Sequence, residues 1–335
     1  MSQELLKINH ATKAYGSGLF SSRGQVVVLN DFNGSFPAGP ARITTVAGES
    51  GSGKTTLAHA VLGFIRLTSG SITFRGTDIA SLRGGAYREY RRSVQAVFQD
   101  PYEVYNPFYK VKHMLDMAVR NFRLAPAPGA AGEIIEKALE AVGLRGGEVL
   151  DHFPHQLSGG QRQRLMMARA FLLKPSIIIA DEPVSMIDAS LRSMVLDTMM
   201  TLRDQHRISF LYITHDLSTA YQVGDDLIVL YRGSIMEQGR TTDVIDNPKH
   251  PYVKDLIEAI PVPDPSVAWN PGRPIPEDTG TAGKPETGCP YCSRCSQRMD
   301  CCSTKAPPLL AIDGNGHRAA CFLYGEMASP ATAPV

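Results

Sequence analysis

The sequence predicts an α/β fold, a parallel β-sheet layered with helices, on three observations. The runs Ser176–Asp181, Ser209–His215 and Asp226–Tyr231 are continuously apolar, the pattern of strands buried on both faces of a parallel sheet. Stretches with helical spacing separate them, which places helices against the sheet. A further strand-like run, Arg42–Gly48, passes through a glycine-rich turn into the helical segment Lys54–Phe64.

Along the chain, that alternation stops between about residues 100 and 170. The segments Val111–Phe122 and Gly132–Leu144 read as helices, so a helical insertion is expected there. His250–Ile260 reads as a last helix of a domain spanning residues 1–260. Residues 261–288 then hold seven prolines and four glycines, the composition of a linker or irregular segment. A cysteine-bearing extension, residues 289–335, follows.

Bulk composition narrows the function classes. A chain of 335 residues with 43% hydrophobic content has enough apolar mass for one large domain and a smaller one. Its formal net charge of +1 gives no ground for a nucleic acid or other polyanion partner held by bulk charge. The basic run Tyr87–Ser93 reads as a solvated helix face. No apolar run approaches the ~18 residues needed to span a bilayer, and the first residues carry no basic-then-apolar leader pattern. A cytoplasmic protein is expected, reaching a membrane by binding another protein.

The segment Gly48–Thr55, "GESGSGKT", matches the phosphate-loop pattern between a strand and a helix. Its glycines let backbone N–H groups turn inward as an anion nest, and the helix after it aims its positive end at the same phosphates. In this pattern Gly48, Glu49, Ser50, Gly51, Ser52, Gly53, Lys54, Thr55 and Thr56 hold the nucleotide. Lys54 reaches the β- and γ-phosphates, and the Thr55 hydroxyl ligates Mg²⁺. Asp181, ending an apolar strand, is expected in the Mg²⁺ shell, and Glu182 next to it to polarise the attacking water. A second glycine turn, "LSGGQRQR", opens another helix: Ser158, Gly159 and Gly160 form an anion site of the same physical kind.

The phosphate loop, "LSGGQRQR", "IIIADEP" and "ITHD", in this order, resemble the ATP-binding-cassette (ABC) ATPases over residues 1–260. That resemblance implies a P-loop NTPase fold: a RecA-like core, an antiparallel β subdomain and a helical subdomain at about 100–170. It implies that two such domains pack head to tail, with the turn Ser158–Gln161 of one facing the ATP of the other. Carried over residue by residue, Gln99 of "VFQDP" senses Mg²⁺ and water, and Asp188 of "SMIDAS" communicates across the dimer. His215 contacts the γ-phosphate, and Tyr15 of "ATKAYG" stacks on adenine.

The segments "FQDPYEVYNP", "NPKHPYVKDLIEAIPVPDP" and the cysteine tail resemble the ATPases of oligopeptide/dipeptide-type importers, a branch that also serves nickel chelates and some oligosaccharides. This implies a second ATPase subunit, two permeases, and indirectly an extracytoplasmic binding protein, with the chain on the cytoplasmic face of the membrane. "VSMIDAS" departs from the usual "TSALDVS", and "YEVYNP" from "SLNP". Neither departure removes a catalytic group. Soluble cassette ATPases acting on DNA or ribosomes typically carry two cassettes or a long coiled-coil insertion, and this chain shows neither.

All six cysteines fall between Cys289 and Cys321. Thiols of a cytosolic chain stay reduced, so a metal site is the better reading than a disulfide framework. Cys289, Cys295, Cys302 and Cys321 match the branch's extension pattern, and four thiolates suit Zn²⁺ or a [4Fe–4S] cluster. Cys292 and Cys301 leave the ligand set open.

Overall fold

The computed structural model describes residues 4–16, 25–101, 104–127, 129–260 and 287–325. Of the proline-rich segment 261–288 all but residues 287 and 288 lie outside these, as do residues 326–335 of the extension.

The chain opens with a long antiparallel ribbon, β1 (Glu4–Tyr15) and β2 (Val26–Pro37). Leu6, Ile8 and Ala11 of β1 meet Phe32 and Phe36 of β2 in a shared core. Bulges interrupt the register between Ile8 and Ala11. There His10 and Asp31 take left-handed backbone (φ 47° and 49°) and their side chains meet at 2.8 Å. The chain then enters a second sheet as β3 (Ile43–Ala47) and turns into α1 (Lys54–Val61). It returns to the first sheet as β4 (Ser69–Phe74) and β5 (Thr77–Asp78), giving the order β2-β1-β4-β5.

From α2 (Gly84–Ser93) the chain passes into β6 (Val94–Val97). It leaves the sheets for α3 (Val111–Asn121), α4 (Ala130–Glu140), the short α5 (Gly146–Val149) and α6 (Gly159–Leu172). Apolar stripes hold this helical insertion together: Leu115 and Val119, Ile135 and Leu139, Leu165 and Met166 share one buried cluster. The sheet resumes with β7 (Ile177–Asp181), then α7 (Ala189–His206), β8 (Ser209–Thr214), α8 (Leu217–Val223) and β9 (Asp226–Tyr231).

Strands β6, β7, β8, β3 and β9 pair in parallel, in that spatial order. Every residue of β7 and β8 is buried, which is why both read as unbroken apolar runs. Beyond β9 the sheet turns antiparallel. Arg232 and Gly233 both have positive φ, the backbone of a tight hairpin turn, and they return the chain as β10 (Ser234–Arg240). The sheet is therefore mixed, and β10 escapes a reading by apolar runs because it carries Glu237, Gln238 and Arg240.

After α9 (Thr241–Asp246) and α10 (Pro251–Glu258), the extension adds the short strands β11 (Leu310–Ala311) and β12 (Arg318–Ala319). β12 pairs with β10, Glu237 opposite Ala319. Glu237 is fully buried there, its carboxylate held by the amides of Lys249 and His250 and by His317 Nε2 at 2.6 Å. Among the described residues the second sheet thus has eight strands, two of them from the extension.

Candidate active site

The phosphate loop connects the C-terminal end of β3 to α1, and two of its glycines stand where no side chain fits. A Cβ on Gly48 (φ 147°) would lie 2.2 Å from the Leu230 carbonyl, and one on Gly53 (φ 102°) 2.4 Å from the Val28 carbonyl. The loop curls around the Lys54 ammonium, which donates to the carbonyls of Gly48 (2.7 Å) and Glu49 (2.8 Å). Burial lowers the Lys54 pKa, and the negative charges of Glu182, Asp181 and Glu49 oppose that shift. Ser50, Gly51, Gly53, Lys54, Thr55 and Thr56 line a cleft of about 520 Å³ with Val28, Gln99, Glu182 and His215.

Asp181 ends β7 beside this cleft. It is buried, and its Oδ1 has no hydrogen-bond partner. Burial raises its carboxyl pKa, while a hydrogen bond from Thr55 holds it down. An unsatisfied buried carboxylate oxygen beside a hydroxyl fits a hard divalent cation, which takes oxygen ligands. Thr55, Asp181 and Gln99 are the residues that would hold Mg²⁺.

Glu182 follows in left-handed backbone (φ 45°), a conformation of the kind stored at functional sites. Its amide donates to the Ile213 carbonyl of β8 at 2.9 Å, tying the turn to the neighbouring strand. Its carboxylate accepts from Gln99 Nε2 at 3.2 Å and meets His215 Nδ1 at 3.1 Å. Three residues from separate strand ends, Gln99, Glu182 and His215, therefore converge over the phosphate loop. Such a group can orient a water and polarise it toward a phosphoryl centre.

Other expected site residues stand elsewhere. Tyr15 lies at the exposed end of β1, opposite Val26 of β2, and does not line the cleft. Ser158, Gly159, Gly160 and Gln161 open α6 and do not line it: the Ser158 hydroxyl accepts from Gln161 N–H, and the Gln161 side chain accepts from Ser158 N–H. That capping box orders the first turn of the helix. Asp188 is exposed at the start of α7. A single chain therefore does not bring the second glycine turn to its own phosphate loop.

In the extension Cys289, Cys295, Cys302 and Cys321, with Cys292 and His250, share the lining of one small pocket. Burial pushes the thiols of Cys289 and Cys295 up, to about 12 and about 11. Among the described residues no group of three or more His, Cys, Asp or Glu side chains has the arrangement of a metal site. Val28, Tyr252 and Arg294 also touch the phosphate loop or its cleft. Local pattern marks none of them, since Arg294 meets Glu49 across 245 positions of sequence.

A phosphate loop at a β3–α1 junction, with acidic groups at the end of β7, separated from β3 by β8, defines a P-loop ATPase. Residues 29–185 match the ABC transporter family, and residues 236–302 match the oligopeptide/dipeptide transporter C-terminal region. The chain is 37% identical over its whole length, and 94% of the relative's, to a probable peptide ABC transporter ATP-binding protein of Sinorhizobium fredii. It is 31% identical to the oligopeptide transport ATP-binding protein OppF of Haemophilus influenzae, covering 95% of this chain and 96% of that one. A di/tripeptide transport ATP-binding protein of Pseudomonas aeruginosa is 36% identical, with 88% and 90% covered. In fold it resembles cbiO1 of Clostridium perfringens, with a TM-score of 0.63 at 23% identity over 73% of this chain and 92% of that one. It also resembles the ATP-binding cassette MJ0796 bound to ADP and phosphate, with a TM-score of 0.60 at 23% identity, covering 70% and 98%. The chain belongs to the ATP-binding proteins of the ABC transporter family.

Proposed function

We propose that this ATPase powers an importer of oligopeptides or related solutes across the cytoplasmic membrane. The observation that carries the cargo class is the full-length likeness to proteins named for peptide transport, which extends through the C-terminal region. Oligosaccharides and nickel chelates are the alternative cargoes for the same machinery.

In the proposed cycle, Lys54 and the loop amides hold the triphosphate, and Gln99, Glu182 and His215 face its terminal phosphate. Glu182 takes up proton density from the attacking water while Gln99 and His215 hold its carboxylate in place. Bound Mg²⁺ would supply charge neutralisation at the β- and γ-phosphates. The turn Ser158–Gln161 presents the N-terminal end of α6, and it binds the ATP of a second ATPase subunit, identical or related. Asp188 lies at that contact, and Tyr15 stacks on adenine. ATP binding thereby closes the dimer and hydrolysis reopens it.

The helical insertion supplies the route to two permeases. A cleft of about 510 Å³ between its helices is lined by Tyr105, Tyr109, Met114, Met117 and Phe122, with Phe108 85% exposed nearby. Among the described residues no helix is long and apolar enough to cross a membrane; in this reading the permeases hold the chain at the cytoplasmic face. A binding protein delivers cargo to the permeases and does not touch this chain. The cysteine set has the donor chemistry of a Zn²⁺ or [4Fe–4S] site, but its side chains do not stand in ligand geometry, and no step of turnover passes through it.

Tagging the chain in its host, solubilising the membranes gently and identifying what co-purifies tests the proposal. Two permeases with an ATPase partner are expected, and the binding protein encoded with them then reports the cargo. Recovery without any membrane protein would sink the transport reading.

A further inference from the structure

An acidic side chain sits in a loop built to attract phosphate. Glu49 is the second residue of the phosphate loop, and its negative charge acts on Lys54. Beside a bound triphosphate an uncompensated carboxylate repels the ligand, the more so in a partly buried cleft where screening is weak.

The compensating charge comes from outside the ATPase domain. Arg294, in the extension between Cys292 and Cys295, grips the Glu49 carboxylate with both ends of its guanidinium. Nη1 donates to Oε2 at 2.9 Å and Nη2 to Oε1 at 3.0 Å. The Arg294 side chain is only 12% exposed, with the ring centres of Tyr231 and Tyr291 5.7 Å and 5.5 Å away. Tyr291 in turn donates to the Asp255 carboxylate of α10. Tyr252, also on α10, accepts from the Glu49 amide at 3.0 Å. Each polar group of Glu49 is therefore taken: its carbonyl by Lys54, its amide by Tyr252, its carboxylate by Arg294.

We propose that Arg294 is a positioning residue for ATP binding, neutralising Glu49 and bracing the phosphate loop, so that the cysteine-bearing segment is part of the nucleotide site. A planar two-point grip fixes the orientation of a carboxylate, which a lysine does not. Arg294 carries that grip on a short loop whose position is set by the packing of Cys289, Tyr291 and Cys302 against α10 and the sheet. The extension thus reaches the site of ATP binding from the far end of the chain.

The test is calorimetric titration of MgATP into the full-length chain, with melting temperature recorded for every variant. Arg294→Ala leaves the Glu49 carboxylate unpaired in the phosphate loop, its charge acting on Lys54, and weakens MgATP binding about tenfold. Adding Glu49→Gln in the same chain removes the repulsive charge and restores affinity to within about twofold of Glu49→Gln alone. Arg294→Lys, which keeps the charge and loses the two-point grip, falls between wild type and Arg294→Ala. An extension brace with no bearing on the nucleotide would lower the melting temperature of Arg294→Ala and leave MgATP affinity unchanged. That result, or a loss of affinity that Glu49→Gln does not rescue, overturns the proposal. A wild-type chain that binds no MgATP overturns the ATP reading of the loop together with this one.

Discussion

Gly53 stands at the N-terminus of α1 with φ 102°, and a methyl group there would meet the Val28 carbonyl at 2.4 Å. A non-glycine residue in this region costs about 1–3 kcal/mol before any clash. Gly53→Ala should therefore displace the loop and abolish measurable MgATP binding while the chain stays folded, as circular dichroism would show. Retained affinity would mean that the loop relaxes around the methyl group. At the same scale, the left-handed turn at Glu182 holds the carboxylate between Gln99 and His215. "ADEP" in the sequence announces the acidic pair but not this conformation, because the turn is fixed by its hydrogen bond to Ile213 on the neighbouring strand.

Elements differ in how plainly the sequence shows them. Strands β7 and β8 were legible because both faces are buried, which demands an unbroken apolar run. Local pattern does not show the ribbon β1–β2. Asn30, Asp31, Asn33 and Gly34 in β2 are poor strand formers, and they are accommodated by bulges and exposed edges that only pairing creates. Strand β10 is hidden for a different reason: one of its two buried members is the charged Glu237. That carboxylate fastens the extension by accepting from His317 and from two backbone amides. Burial raises its pKa, and those hydrogen bonds hold it down. An unmade hydrogen bond at a buried polar group costs about 1–3 kcal/mol. Glu237→Gln should expose the extension to limited proteolysis at low protease while sparing the ATPase core. Equal resistance in the variant would show that the apolar contacts of β12 and Tyr291 hold it without the Glu237 carboxylate.

For the whole molecule, the α6 turn does not line the cleft at the phosphate loop of its own chain, and the proposed cycle gives that turn to the ATP of a second subunit. The prediction at this scale concerns assembly. Glu182→Gln keeps the shape of the side chain and its contact with Gln99 but loses the charge that draws a proton from water. Turnover should fall by about a hundredfold or more, and MgATP should accumulate the closed dimer, with light scattering reporting the doubled mass. Wild-type turnover in this variant would remove Glu182 from the role of base.

The sequence by itself determined the parallel core, the phosphate loop, the acidic pair and the second glycine turn. Each is written in contiguous residues whose local backbone does the chemistry. Tertiary structure alone decided three things. It brought Gln99, Glu182 and His215 into one group, it left Ser158–Gln161 out of the cleft lining of its own chain, and it laid the extension on β10 with Arg294 against Glu49. These contacts join residues from 33 to 245 positions apart. No local periodicity records them, because they exist only once the sheet has fixed its strand order and buried its two faces.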